Sequence, residues 1–227
     1  MSDERFLQHA RPETAQASQE LQKMPVREAL VRFYARHDAR IEAAVNAASE
    51  KLGCESGCGY CCSHFEVEAR PFEVFEIQAH VLKHFKPEQL RATIGRAAKN
   101  VEERKAATET ERLTLRQTCP FLVDNACSVY SVRPSVCRNY HATDREKCKK
   151  HFEDPTSTWP TSYIDDVFFR ANGSSIGFKN AVKALGLDTK GYYLSGAFLE
   201  AVRNPDCAKR FKAGKKAFLK ASSSSDT

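Results

Sequence analysis

Cysteines are the residues of this 227-residue chain whose type and spacing could do chemistry, and there are nine of them. Four lie within a nine-residue segment: Cys54, Cys58, Cys61 and Cys62. Gly57 and Gly59 lie between them, and glycine accepts positive φ angles, so the loop can wrap tightly and direct backbone N–H groups at sulfur. The spacing therefore predicts that these thiols converge on a metal.

A second group of cysteines follows more than fifty residues later, at Cys119, Cys127 and Cys137. Pro134 is expected to open a short helix that contains Cys137, and a thiolate near a helix N-terminus is stabilised by the helix dipole. The side chains of Arg133 and Arg138 would offset the negative charge of a site with several thiolates.

The segment between the first two of these cysteines contains turn residues at Asp124 and Asn125. A regular hairpin turning there would hold Cys119 and Cys127 about 13 Å apart along the strands, at roughly 3.3 Å per residue. Pro120 cannot donate a hydrogen bond to a strand ladder. If both cysteines are ligands, we therefore expect residues 119–127 to close as a loop.

The compartment decides how clustered cysteines are interpreted. The first residues are polar and include acids, with no apolar stretch of a secretory signal, and the apolar runs of the chain are too short to span a bilayer. We expect a cytoplasmic protein without membrane contact. In that reducing environment clustered thiols bind metal or do redox chemistry more often than they form disulfides.

The remaining elements must position these thiols, and their pattern is mainly helical. Hydrophobic residues make up 41% and charged residues 28% of the chain, which excludes disordered and fibrous classes. Helices are expected over the ranges 26–52, 71–85, 87–117, 162–171, 175–186, 191–203 and 206–220, whereas residues 1–11 are expected to be disordered.

The fold class that follows is mainly α: a single helical domain with two irregular cysteine-bearing segments that converge on a metal site. The segments predicted along the chain are an N-terminal helical extension (1–53), a cysteine-cluster metal-binding domain with a helical insert (54–148), C-terminal helices packed on it (149–221) and a disordered tail (222–227).

The two cysteine segments together resemble a known protein family. The stretches CESGCGYCC and CPFLVDNACSVYSVRPSVCRNY resemble the cysteine-cluster family, a C-x-x-C-x-x-C-C or YkgJ-like family of zinc- or iron-chelating proteins that is often labelled iron–sulfur. The resemblance covers residues 54–140. The first spacer has three residues here, where the family name implies two. The resemblance implies binding of a metal or an iron–sulfur cluster, and it implies no defined reaction.

The ligand candidates are the seven cysteines of the two segments: Cys54, Cys58, Cys61, Cys62, Cys119, Cys127 and Cys137. Seven thiols exceed the four that a tetrahedral zinc or a four-iron cluster needs, so either two centres exist or some thiols only flank the metal. The adjacent thiols of Cys61 and Cys62 are expected to point apart.

The two remaining cysteines and the histidines near the clusters are not expected to bind the metal. Cys148 and Cys207 are interpreted as plain thiols. His64 and His141 are interpreted as polar neighbours of the clusters rather than as ligands.

Three classes of function remain open. The first is an iron–sulfur protein, with a four-iron four-sulfur cluster preferred, and its close alternative is a structural zinc protein without catalysis. The second is a radical S-adenosylmethionine enzyme, because Cys54, Cys58 and Cys61 with Tyr60 spell C-x-x-x-C-x-aromatic-C; the helical pattern argues against the strand–helix barrel of that class. Whether the protein is an enzyme is not decided by the sequence.

The third class is a binding module, suggested by the basic C-terminus. The formal net charge is +6, and basic residues cluster in the predicted helix 206–220. On that helix Phe211, Phe218 and Leu219 are expected to pack on the core while the lysines face water. No nucleic-acid-binding motif is present, so we expect no nucleic acid and consider a protein partner at this helix.

Overall fold

The computed structural model describes residues 2–55, 57–64, 66–156 and 162–223, with side chains described from residue 4 onwards. Its helices are α1 (Ser2–Leu21), α2 (Val26–Ala47), α3 (Tyr60–His64), α4 (Pro71–His84), α5 (Pro87–Ala106), α6 (Glu109–Arg112), α7 (Ser135–Asn139), α8 (Arg145–Glu153), α9 (Asp165–Ala184), α10 (Leu194–Arg203) and α11 (Asp206–Lys212), with a 3₁₀ helix at Tyr130–Val132. The prediction of a mainly helical protein is confirmed. No helix in these ranges is long and apolar enough to cross a membrane.

The expectation of disorder at residues 1–11 is wrong, because residues 2–11 form the first half of α1. This helix packs along α9 at very short range. A Cβ atom at Gly173 would lie 2.6 Å from the carbonyl oxygen of Phe6, and one at Gly177 would lie 2.5 Å from that of Ala10. The two glycines therefore let the backbones approach, and contacts with α9 order a segment whose own sequence is polar.

The larger of two apolar clusters contains residues from near both ends of the described chain. It contains Leu30 of α2, Ile77 of α4, Phe178 of α9, Phe198 of α10 and, near the C-terminus, Phe218. Helix α10 packs against α4 and α5, and α2 packs against α9. The three predicted segments 1–53, 54–148 and 149–221 all contribute to this core, while their boundaries stay predictions.

Short antiparallel strands connect the helices. Strand β1 (Glu68–Ala69) pairs with β4 (Tyr192–Tyr193), and β2 (Leu122–Val123) pairs with β3 (Ala126–Cys127). Asp124 and Asn125 both have positive φ angles, 49° and 58°, as a two-residue hairpin turn requires. Within the range 119–127, where a loop was expected if both cysteines are ligands, residues 122–127 therefore form a short hairpin.

The basic C-terminus is less helical than expected. Helix α11 ends at Lys212, and Gly214 has a φ of 69°. Phe211 and Phe218 are buried as predicted, but Leu219 is 61% exposed, because the N–H groups of residues 219–221 turn towards the carboxylate of Glu200.

The sequence predicts a disordered tail over residues 222–227. Ser222 instead accepts a hydrogen bond from Tyr193 N–H through its carbonyl oxygen, and Ser223 is buried. Residues 224–227 of that prediction lie outside the described residues.

Candidate metal centre

The first cysteine segment is a loop that leads into the short helix α3. Gly57 and Gly59 have φ angles of 83° and 66°, so the predicted need for glycine in a tightly wrapped backbone is confirmed. A Cβ atom at Gly59 would lie 3.3 Å from Oδ1 of Asn125, at the tip of the hairpin. The loop therefore lies directly against the second cysteine segment.

The start of this loop is fixed to the chain before α8. Gly53 N–H donates to the carbonyl oxygen of Ala142 at 2.8 Å, and Ala142 N–H donates to the Cys54 sulfur at 3.3 Å. Glu55 forms an ion pair with Arg145, the first residue of α8. The thiol of Cys54 is thus held by backbone contacts, although the residue itself is exposed.

The second segment folds back on itself around the hairpin. Cys119 N–H donates to the carbonyl oxygen of Cys62 at 2.6 Å, which joins the two cysteine segments. Leu122 N–H donates to the carbonyl oxygen of Cys119 at 3.0 Å, so the chain turns before the hairpin instead of extending its strands. Because of this turn Cys119 does not continue strand β2. The separation of Cys119 and Cys127 that a regular hairpin would impose therefore does not apply.

Helix α7 positions Cys137, as predicted from Pro134. Buried Glu73 of α4 accepts the N–H of Ser135 at 2.7 Å, at the first residue of the helix. At its other end Asn139 Oδ1 accepts a hydrogen bond from Nε2 of His37, at 2.8 Å. The helical body thus fixes both ends of α7.

Burial and mutual charge dominate the electrostatics of this segment. The pKa of the Cys119 thiol is raised to about 12, mainly by burial and to a smaller extent by charge on Cys127 and Cys61, against a hydrogen bond from the backbone of Phe121. Burial also raises the pKa of Cys137 well above its ordinary value, with smaller contributions from Cys119, Cys127 and Cys61. These thiols are therefore close enough to interact.

The adjacent cysteines of α3 do not point apart as expected. A hydrogen bond with the Cys62 thiol is the largest cause that raises the pKa of Cys61, followed by burial. Charge on Cys61 also raises the pKa values of Cys54 and Cys127, one from each segment, in addition to the main effect of burial. Cys61 therefore lies between the two groups of thiols.

Cys148 also interacts with the thiols, and the interpretation of this residue as a plain thiol missed that. Burial raises its pKa, and charge on Cys54, Cys58 and Cys61 raises it further. Cys148 lies on α8, which packs against α3. Its charged, lysine-rich surroundings hid this placement.

Arg133 and His141 behave as the sequence suggested, whereas Arg138 does not. Positive charge on Arg133 lowers the pKa of Cys127, whereas Arg138 is taken up by an ion pair with Asp38. His141 donates from Nδ1 to a backbone carbonyl oxygen at 3.0 Å and accepts at Nε2 from a backbone N–H at 3.0 Å, so its ring nitrogens are already used.

The donor chemistry of the surface fits a thiophilic metal. Because burial disfavours ionised thiols, a metal cation would supply the charge that stabilises them as thiolates. Within the described ranges no three Cys, His, Asp or Glu side chains are arranged closely enough to hold a metal ion as they stand. Convergence of the thiols on one point would therefore require changes of side-chain rotamer.

These observations describe a mainly helical protein with a cysteine-lined surface suited to soft metals. Residues 53–158 match the family model CxxCxxCC, described as a "putative zinc- or iron-chelating domain", so the resemblance to the cysteine-cluster family is confirmed. The matched range extends beyond Cys137 and includes Cys148. No curated protein and no solved structure matches the chain.

Proposed function

We propose that the protein binds an iron–sulfur cluster through thiolates of both cysteine segments. Cys119, Cys127 and Cys137 would supply three ligands, and Cys62 of α3 would supply the fourth. The observation that carries the proposal is the contact between segments, in which Cys62 accepts the N–H of Cys119 while the thiols of Cys61 and Cys62 hydrogen-bond. Four thiolates match the ligand number of a four-iron four-sulfur cluster.

Such a cluster would supply one-electron transfer, and the chain would hold and shield it. Pro134 and Glu73 would fix the helix of Cys137, and the hairpin turn at Asp124 and Asn125 would direct Cys127. The positive charge of Arg133 near Cys127 would offset part of the negative charge of the centre.

Zinc is the second candidate, because four thiolates suit Zn²⁺ as well as iron–sulfur clusters. In that case the centre would crosslink two segments of the fold without doing chemistry. The radical S-adenosylmethionine hypothesis expects a barrel of alternating strands and helices, and the strands within the described ranges are two residues long and antiparallel.

Anaerobic purification followed by analysis of iron, sulfide and zinc tests the proposal. We expect visible absorption with iron and sulfide in matching amounts, and their loss in Cys119→Ser, because a hydroxyl is a poor ligand for soft metals. The matched control is Cys207→Ser, since Cys207 is buried in the core next to Glu200 and Arg210. A colourless, zinc-loaded wild-type protein would favour the second candidate, and full metal content in Cys119→Ser would contradict both.

A further inference from the structure

A small cavity lies between α3 and α8. Its volume is about 10 Å³, which is room for one water molecule or ion. The residues that line it are two cysteines, two histidines and two tyrosines: Tyr60, Cys61, His64, Tyr140, Cys148 and His151. A cavity of this size with two sulfur and two imidazole donors in its wall is a candidate metal site.

The two helices contribute the same motif. Cys61 and His64 are three residues apart on α3, and Cys148 and His151 are three residues apart on α8. Residues at this spacing share one face of a helix. Two C-x-x-H pairs therefore face each other where the helices pack, with the rings of Tyr60 and Phe152 in contact at a centroid distance of 5.7 Å.

Both imidazoles border the cavity. Nε2 of His151 is buried and has no hydrogen-bond partner among the described residues, which is rare for a buried nitrogen. His64 and His151 both line this small cavity, so the two imidazole rings lie near each other. A metal ion in the cavity would give the buried nitrogen of His151 a partner.

We propose that Cys61, His64, Cys148 and His151 form a second, mixed sulfur–nitrogen site for Zn²⁺ or a similar divalent cation. Two thiolates and two neutral imidazoles are an established tetrahedral ligand set for zinc, and they leave the loaded site without net charge. The four side chains line the cavity without meeting at one point. Binding of the metal would therefore move α3 and α8 closer together.

This site is separate from the thiolate centre. The thiols of Cys61 and Cys62 are in contact, but the two residues adjoin different parts of the chain. Cys61 lines the cavity with α8, whereas the carbonyl oxygen of Cys62 receives the N–H of Cys119. Cys61 is thus available to the mixed site and Cys62 to the thiolate centre.

Loading the full chain with Co²⁺ alone separates the two centres. The wild type is expected to bind two equivalents, with nitrogen as well as sulfur scatterers in X-ray absorption. His151→Gln and His64→Gln should each lose one equivalent and keep a sulfur-only spectrum. Cys119→Ser should lose the other equivalent and keep the mixed spectrum, so that failure of the thiolate centre is distinguishable. Exposed His84 provides the matched control, and His84→Gln should behave as the wild type.

Two results would overturn the mixed site. One is a wild-type spectrum with sulfur scatterers only, a measurement that does not depend on the folding of any variant. The other is full binding by His151→Gln and His64→Gln together with loss of one equivalent in Cys54→Ser and Cys58→Ser. That pattern would assign the second centre to thiolates alone.

Discussion

The helical body and the cysteine-bearing surface of this protein are stabilised in different ways. Helices α9 and α10 bury long rows of side chains, among them Phe178 and Phe198, in a continuous core. Helices α3 and α8 contain no buried residue. Apolar burial therefore suffices for the body, whereas α3 and α8 depend on short-range contacts and, in our proposal, on metal.

Polar groups connect the two regions. The buried carboxylate of Glu73 reaches the first turn of α7, and His37 reaches the last residue of α7 through Asn139. Asn139 also donates to Ser175 of α9, at 3.1 Å. Substitutions of these groups or of core residues therefore measure the contribution of the helical body to stability, separately from that of the metal.

The largest expected effect is in the core of the body. Phe33 is fully buried and stacks on Phe178 with a centroid distance of 4.6 Å. Phe33→Ala should lower the free energy of unfolding by about 3–5 kcal/mol, because it removes a large buried ring and leaves a cavity. Denaturant titration measures this. Leu113→Ala, at a site that is 83% exposed, is the control and should change the value by less than about 0.5 kcal/mol.

A pH dependence of similar size is expected from His37. Burial lowers its pKa to about 4, against an ordinary value of 6.5, so the unfolded chain binds the proton more tightly. Stability from the neutral ring is fully present above pH 6.5 and is lost as the pH falls towards 4. At about 1.4 kcal/mol per pH unit the loss is about 3 kcal/mol.

Denaturant titrations at about pH 7 and about pH 4, on either side of this transition, check the prediction. His37→Gln keeps a donor for Asn139 and removes the titrating ring, so its stability should fall less over the same range. A variant that loses as much stability as the wild type would show that His37 is not responsible.

A smaller effect is expected where α1 meets α9. A Cβ atom at Gly177 would meet the backbone oxygen of Ala10, so Gly177→Ala should cost about 1–3 kcal/mol of unfolding free energy. Gly95 lies inside α5, where an added Cβ atom would have no neighbouring atom within 4 Å, and Gly95→Ala should stabilise by up to about 1 kcal/mol. Equal effects of the two substitutions in thermal melts would contradict the close packing of α1 on α9.

Sequence periodicity is sufficient to predict helices that have an apolar stripe of their own, such as α2 and α4. It failed for α1, whose order depends on a glycine-lined groove formed far away in the chain. It also predicts two helices where α9 is continuous, because Gly173 and the serines after it are typical of a break between helices. In the structure Gly173 instead allows the backbone of α1 to pack closely against α9.

The candidate site shows the same limit. Spacing was sufficient to find the seven cysteines of the two segments and the glycines between them. It could not find Cys148, because only the packing of α8 on α3 brings that thiol near the others. The repeated C-x-x-H spacing at 61–64 and 148–151 was the available signal.

Hydrogen–deuterium exchange of the metal-loaded and metal-free protein tests the central claim most directly. We predict that removal of metal by a chelator under anaerobic conditions abolishes the protection of α3 and α8 together, while α9 and α10 keep theirs. The reason is that α3 and α8 lack buried residues, whereas α9 and α10 form the core. Unchanged protection of α3 and α8 in the metal-free protein would contradict the claim that metal holds these two helices together.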